Sequence, residues 1–218
     1  MTTSGDRRPI AARNLRTSVA IANWLAGRGV SPNAISLAGL LAGALAGVAF
    51  GCVPAVPDWA RLLWIAGALC VQLRLAANMF DGMVALARGV ASPVGELYNE
   101  IPDRLSDSAV LIGIGVAAGD WALGALAALT SMATAYVRAV GKAAGAPSDF
   151  GGPMAKQQRM FVVTLAALWL AVAPGSVQQI LPPAELLRAL LLLIIVGAGL
   201  TAGRRLRHIA AALRDRSR

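Results

Sequence analysis

About six apolar stretches, each of roughly 20 residues, follow one another along this chain, and a helix of that length crosses the hydrocarbon core of a bilayer. They lie near 31–53, 61–82, 95–118, 121–141, 159–173 and 184–203. Of the 218 residues, 57% are hydrophobic and 14% charged, against about 25% charged in an average soluble domain. The expected fold is therefore an all-α integral membrane protein, with about six transmembrane helices preceded by an amphipathic interfacial helix. A soluble all-helical domain is the alternative. The expected division is an N-terminal arm over 1–30, a transmembrane domain over 31–205 and a basic tail over 206–218.

Within the arm, Leu15, Val19, Ala22 and Leu25 recur at helical spacing between Arg13, Arg16, Thr17 and Asn23. That is the pattern of a helix lying on the membrane surface, with Trp24 at headgroup depth. Ser31 then reads as an N-cap and Pro32 as the first helical residue, where a missing N–H costs no bond. Gly39, Gly43 and Gly47 recur every four residues and predict close helix packing. Gly119-Asp120 predicts a tight turn, residues 142–158 a polar loop, and Pro182-Pro183 the entry to the last span.

A net charge of +9 and a pI near 11.2 raise the question of nucleic acid, but the positions of the charges argue for membrane lipids as partners. Basic residues gather in the arm, in the middle loop (Lys142, Lys156, Arg159) and in the tail (Arg204, Arg205, Arg207, Arg214), as the positive-inside rule places cytoplasmic segments. An even number of spans puts both termini on that side of an inner or plasma membrane. Trp59, Trp64, Trp121 and Trp169 are expected as a belt at the far interface. Cys52 and Cys70 lack metal-ligand spacing and read as small hydrophobic residues. The first thirty residues are too polar for a cleavable signal peptide.

Asp81, Glu96, Glu100, Asp103 and Asp107 fall between positions 78 and 107, five of the eleven acidic residues. An ionised group at bilayer depth costs roughly 2.5–3.5 kcal/mol on insertion scales, so such a residue normally marks a site. At about 100° per residue, Arg74, Asn78 and Asp81 lie within roughly 60° on one helix. On the next, Glu96, Asn99, Glu100, Asp103 and Asp107 lie within roughly 100°. Consecutive helices are expected as neighbours, so these polar faces would enclose a charged cavity. Crowded carboxylates call for a cation, and hard oxygen donors select Mg²⁺, Mn²⁺ or Ca²⁺. A proton or cation relay, or a salt-bridge lattice through Arg74 and Arg104, is the competing reading. His208 stands apart in the tail.

The run Asn78-x2-Asp81-Gly82-x2-Ala85-Leu86-x8-Gly95-x3-Asn99-x3-Asp103 resembles the CDP-alcohol phosphotransferase pattern D-x2-D-G-x2-A-R-x8-G-x3-D-x3-D. The resemblance extends to Pro32-Asn33-x2-Ser36 at the start of the first span. Asp103-Arg104-Leu105-Ser106-Asp107 and Tyr136-Val137-Arg138-Ala139 are similar to the branch that makes phosphatidylinositol-type lipids. It implies a phospholipid-biosynthetic transferase. A phosphatidyl group would pass from a CDP-diacylglycerol-like donor to an alcohol or alcohol phosphate, with Mg²⁺ or Mn²⁺ bound and CMP released. Asp103 would be the catalytic base, and Asp81, Asp103, Asn78 and Asn99 the metal ligands. Gly82, Ala85, Gly95 and Asn33 would line the nucleotide and lipid, with Arg88 replacing the family arginine lost at Leu86. Arg138, Lys156 and Arg159 would hold the acceptor or its phosphate.

Asn78, Leu86 and Asn99 depart from the pattern. Each asparagine keeps an oxygen but loses a charge, and Glu100, Glu96 or Asp107, on the same arc, would restore it. A divergent active enzyme is the reading that follows. A catalytically silent relative that binds a nucleotide-lipid or a partner protein is the alternative. An unrelated aspartate-motif prenyltransferase fits less well, since Asp81 follows Asn78 by three positions. Small residues in the first and last spans permit a homodimer.

Overall fold

The structure, a computed structural model, describes residues 11–90 and 93–216, without the side chains of residues 11, 93–96, 98, 99 and 216. It is all-helical over these residues. A 3₁₀ turn, Ala11–Asn14, precedes α1 (Arg16–Gly27); then come α2 (Pro32–Cys52), α3 (Ala60–Ala87), α4 (Pro93–Ala117) and α5 (Trp121–Ala143). α6 (Lys156–Val172), the short α7 (Gly175–Ile180) and α8 (Pro183–Arg216) complete the described chain.

The start signals act as the sequence predicts. Ser31 Oγ accepts from the Ala34 amide at 3.1 Å, and Asp120 Oδ1 accepts from the Leu123 amide at 2.9 Å. Each satisfies one of the orphan donors of a first helical turn. Gly119 turns the chain between α4 and α5 with φ of 70°, a conformation glycine adopts without steric cost. The helices outrun their expected ends in two places. α3 continues beyond Gly82 to Ala87, and α8 continues without a break at Gly203 to Arg216.

Among the described residues, α2, α3, α5 and α8 are long and apolar enough to cross a membrane. α4 has 25 residues but carries Glu100, Asp103, Arg104 and Asp107. α6 has 17 residues. Between helices in lipid there is little hydrophobic driving force, so association rests on close packing and polar contacts.

That closeness is concentrated on α2, which packs extensively against both α3 and α4, whereas α3 and α4 touch each other little. The expectation that α3 and α4 are direct neighbours is thus corrected: α2 is wedged between them, and their polar side chains meet past its glycine face. A methyl group on Gly43 would overlap the Ser106 side chain, and one on Gly39 would stand 2.9 Å from Ala77 Cβ. The apolar core runs from this seam through Phe50, Val71, Leu111 and Ile114 to Met160, Leu187 and Leu191.

Two sequence expectations change with burial. Trp64 belongs to the core, its ring 5.4 Å from that of Phe50, because it lies on the α3 face that also buries Ala68 and Val71. Trp59 and Trp121 do remain exposed. In α1 it is Ser18 and Ala22 that pack inward, while Leu15, Val19 and Trp24 project outward. The small residues suit the close α1–α3 contact.

Candidate functional site

The polar residues gather where the ends of α3 and the start of α4 meet the beginnings of α2 and α6. Asp81 on α3 accepts from Ser36 Oγ of α2 at 2.7 Å and from the Gly82 amide at 2.5 Å. One turn earlier, Asn78 donates through Nδ2 to Asp103 Oδ2 at 2.9 Å. Its carbonyl oxygen accepts from Lys156 Nζ at 2.9 Å, and Lys156 also donates to Asp103 Oδ2. Asn78, Asp103 and Lys156 thus form a closed triangle drawn from three helices.

Arg74 braces this triangle from below. Its Nη2 donates to Asp103 Oδ1 and to the Asp103 carbonyl, each at 2.9 Å, and its Nε donates to Ser106 Oγ at 2.9 Å. The same guanidinium lies 2.7 Å from Asp107 Oδ1. Arg74 is 1% exposed, so these acceptors stand in place of water, and a buried charge requires such partners. The salt-bridge reading of Arg74 from sequence is realised in these contacts.

A narrow cleft, closed too tightly to admit a water-sized group, adjoins the triangle, lined by Arg104, Thr134, Ala135, Arg138, Lys156, Arg159 and Arg205. Glu100 faces this cleft: Arg104 Nη2 lies 3.0 Å from its Oε1, and Arg138 pairs with the same oxygen. Arg138 also stacks its guanidinium 4.9 Å from the Phe150 ring. Arg159 donates to the Met154 carbonyl at 2.8 Å and lies 4.0 Å from Asp107. Arg205 donates to the carbonyls of Thr134 and Gly151 at 2.7 and 3.0 Å. Across triangle and cleft, Arg74, Arg104, Arg138, Lys156, Arg159 and Arg205 face Asp81, Glu100, Asp103 and Asp107, with Asp149 acting on Arg205. The balance is positive, and a buried excess of cations favours an anionic ligand.

Not every candidate residue joins the cluster. Arg88 is exposed and donates to the carbonyls of Gly29 and Val30 at 3.2 and 2.9 Å, fastening the end of α3 to the α1–α2 connection. Asn33 is exposed on the first turn of α2. Gly82 and Ala85 are half-buried along α3; a Cβ on Gly82 would meet only Arg13 Nη2, at 3.8 Å, so that surface has room for a ligand. Gly95, Glu96 and Asn99 lie outside the described side chains. Sequence reading missed two partners. Ser36 entered only as part of a motif, and Arg205 was assigned to the tail. Thr201, Arg205 and Ile209 are buried on one stripe of α8, a periodicity that marked them as inward-facing.

Oxygen donors fit one hard dication better than two. Asp81 and Asp103 supply carboxylates and Asn78 a carboxamide oxygen, while no group of three or more His, Cys, Asp or Glu converges among the described residues. Mg²⁺ is commonly held by one or two carboxylates and completed by substrate phosphates and water. A cavity of about 470 Å³ at the opposite end of the bundle, between Val53, Trp64, Leu170 and Pro183, has no carboxylate in its lining.

The fold and this buried polar cluster define a helical protein with a charged site at one end of a membrane-type bundle, and the comparisons with known proteins agree with that class. No family model matches the chain. It is 28% identical over 167 residues to phosphatidylinositol phosphate synthase of Mycolicibacterium smegmatis, covering 73% of this chain and 66% of that protein. It is 27% identical over 160 residues to archaetidylinositol phosphate synthase of Pyrococcus horikoshii, covering 71% and 78%. The chain thus spans about two thirds of the length of the first of these relatives. Phosphatidylinositol phosphate synthase of Mycobacterium tuberculosis shares the fold. Its structure with CDP-DAG bound gives a TM-score of 0.69 at 24% identity over 89% of this chain and 94% of that one. Its complex with manganese and citrate gives 0.71 at 24% identity over 89% of each.

Proposed function

We propose that the chain is a CDP-alcohol phosphatidyltransferase of phospholipid biosynthesis, with a CDP-diacylglycerol-like lipid as donor and a phosphorylated alcohol as acceptor. The observation that carries this reading is the convergence of Asn78, Asp81 and Asp103, at the family's spacing, beside a cleft lined by five cationic side chains. Relatives at 27–28% identity that are named for inositol phosphate lipids support the same substrate class. The cationic cleft supports the phosphate on the acceptor, since guanidinium groups recognise phosphate through paired N–H donors.

In this reading Asp103 accepts the proton of the acceptor hydroxyl. The oxygen so released bonds to the lipid-side phosphorus, and the bond from that phosphorus to the CMP oxygen breaks, so CMP leaves with the electron pair. Asp81, Asn78 and Asp103, with Asn99, would hold Mg²⁺ or Mn²⁺, which when bound supplies charge neutralisation to the attacking and leaving oxygens. Ser36 orients Asp81, and Arg74 fixes Asp103. Gly82 and Ala85, with Gly95 and Asn33, would border the nucleotide and lipid. Arg138, Arg159 and Lys156 would receive the acceptor phosphate, with Arg104 and Arg205 beside them; Glu100 would set the guanidinium positions. Six spans follow if α4, its charges turned inward, and α6 also cross the bilayer, α1 lying on the surface. Both basic termini are then cytoplasmic, residues 31–205 form the transmembrane domain, and a homodimer would pack through small residues.

The test is metal-dependent CMP release by purified protein in detergent, given CDP-diacylglycerol, Mg²⁺ or Mn²⁺, and a panel of alcohols and alcohol phosphates. Release with a phosphorylated acceptor is expected. Its absence across the panel would instead favour a silent protein that binds a nucleotide-lipid. Asp103→Asn should abolish release while the helical circular dichroism spectrum is kept; an active variant would remove Asp103 from the base position.

A further inference from the structure

We infer that Lys156 is a movable counter-cation that couples metal binding to acceptor-phosphate binding, closing the oxygen cage of Asn78 and Asp103 when both ligands are absent. This rests on the reading of that cage as a cation site. Two of the three described donor residues of the site, Asn78 through Oδ1 and Asp103 through Oδ2, accept from Lys156 Nζ. Lys156 as a residue is 3% exposed, and its ammonium stands inside the cage by these contacts. A dication and an ammonium compete for the same two oxygens, because the two positive centres repel at that separation. Asp103 Oδ2 is likewise unavailable to a substrate hydroxyl while Lys156 and Asn78 both donate to it.

Lys156 has a second place to go. It is the first residue of α6 and also lines the cleft with Arg104, Arg138, Arg159 and Arg205. Its four-carbon stem lets the ammonium turn about side-chain bonds without moving the helix. Four guanidinium groups, only partly offset by Glu100, line that cleft, so without an added anion like charges oppose the turn. A phosphate dianion, for which the closed cleft must part, changes the sign of the interaction. It draws Lys156 out of the cage, frees both oxygens for the metal and leaves Asp103 Oδ2 open to the acceptor hydroxyl. Binding of either ligand then strengthens the other, and the coupling is reciprocal.

The experiment measures Mn²⁺ binding to the purified full chain in detergent by electron paramagnetic resonance of free Mn²⁺, with sulfate as a dianion probe against chloride at matched ionic strength. Sulfate is expected to tighten Mn²⁺ binding about 5-fold or more, within the usual range for coupled sites. Lys156→Met should bind Mn²⁺ more tightly than the wild type without sulfate and lose the sulfate response. Lys156→Gln should behave likewise, with circular dichroism confirming the fold of both. Wild-type Mn²⁺ affinity indifferent to sulfate would overturn the coupling and leave the proposed function standing. A sulfate response that persists in both variants would remove Lys156 from it. Failure of all three proteins to bind Mn²⁺ under either condition would overturn the metal reading itself, and this inference with it.

Discussion

Gly43 on α2 lies directly against Ser106 on α4, so that any side chain at 43 would occupy the space of the serine's own Cβ. The same glycine passes 3.4 Å from Arg74 Cγ, measured from a built Cβ. It is the window through which an arginine of α3 reaches a serine and two aspartates of α4. Gly43→Ala is expected to cost about 1–3 kcal/mol, as overpacking of a close-packed interior does. It should lower the unfolding temperature in detergent and reduce CMP release together. A stable, fully active variant would show that the seam yields more readily than its geometry implies.

Removing Arg74 is expected to be more severe. Arg74→Met leaves Asp103 and Asp107 buried without their principal cation, and breaking a buried ion pair from one side costs about 3–5 kcal/mol. Arg74→Lys should recover only part of the loss, because one ammonium cannot reach Ser106, Asp103 and Asp107 in the directions the guanidinium does. Thermal unfolding of the three proteins ranks them.

A Glu100 variant would separate the proposed metal role from the proposed acceptor role. Glu100 pairs with Arg104 and Arg138 in the cleft, so Glu100→Gln should leave the Mn²⁺ concentration for half-maximal activity unchanged. The KM for a phosphorylated acceptor should rise on the order of 10-fold, typical for losing a group that orients a ligand-binding residue. A shift in metal dependence instead would return Glu100 to the metal site.

The loop before α6 carries an acid-sensitive clamp. Burial pushes the Asp149 carboxyl up, but hydrogen bonds from the Gly151 amide and from His208 outweigh it and hold the group below its ordinary value of 3.8. A depressed carboxyl stabilises the fold at pH above its unfolded value, and the contribution fades as pH falls through the folded one. Wild type should therefore be more heat-stable than Asp149→Asn at neutral pH, with the difference shrinking as pH drops below about 3.8. A difference independent of pH would assign the effect to packing.

Local signals were legible in the sequence where a single residue type decides them: the Ser31 cap, the Gly119 turn, the Pro183 start and the glycine seam of α2. Angular bookkeeping also placed Asn78, Asp81 and Asp103 on facing stripes, and they do converge. What could not be read was which helix stands between two others. Sequence adjacency suggested α3 against α4, yet the glycine face of α2 fits more closely against both. Two inward-facing cations were hidden for a related reason. Lys156 and Arg205 sit in basic segments whose charge also serves topology, so composition alone gives no sign that these two turn inward while Lys142 stays exposed. Only the packing of α6 and α8 separates them.

The position of Arg74, 29 residues ahead of Asp103, bears on how such a chain enters a membrane at all. Synthesis runs from the N-terminus, so α3 is available before α4 emerges. When the acidic helix arrives, a guanidinium, a carboxamide and a glycine-lined groove are already there to receive it. Lys156 follows 53 residues after Asp103 and Arg205 later still. The α2–α4 unit thus carries only part of its counter-charge, from Arg74 and Arg104, and Arg138 and Lys156 on later helices complete the balance last.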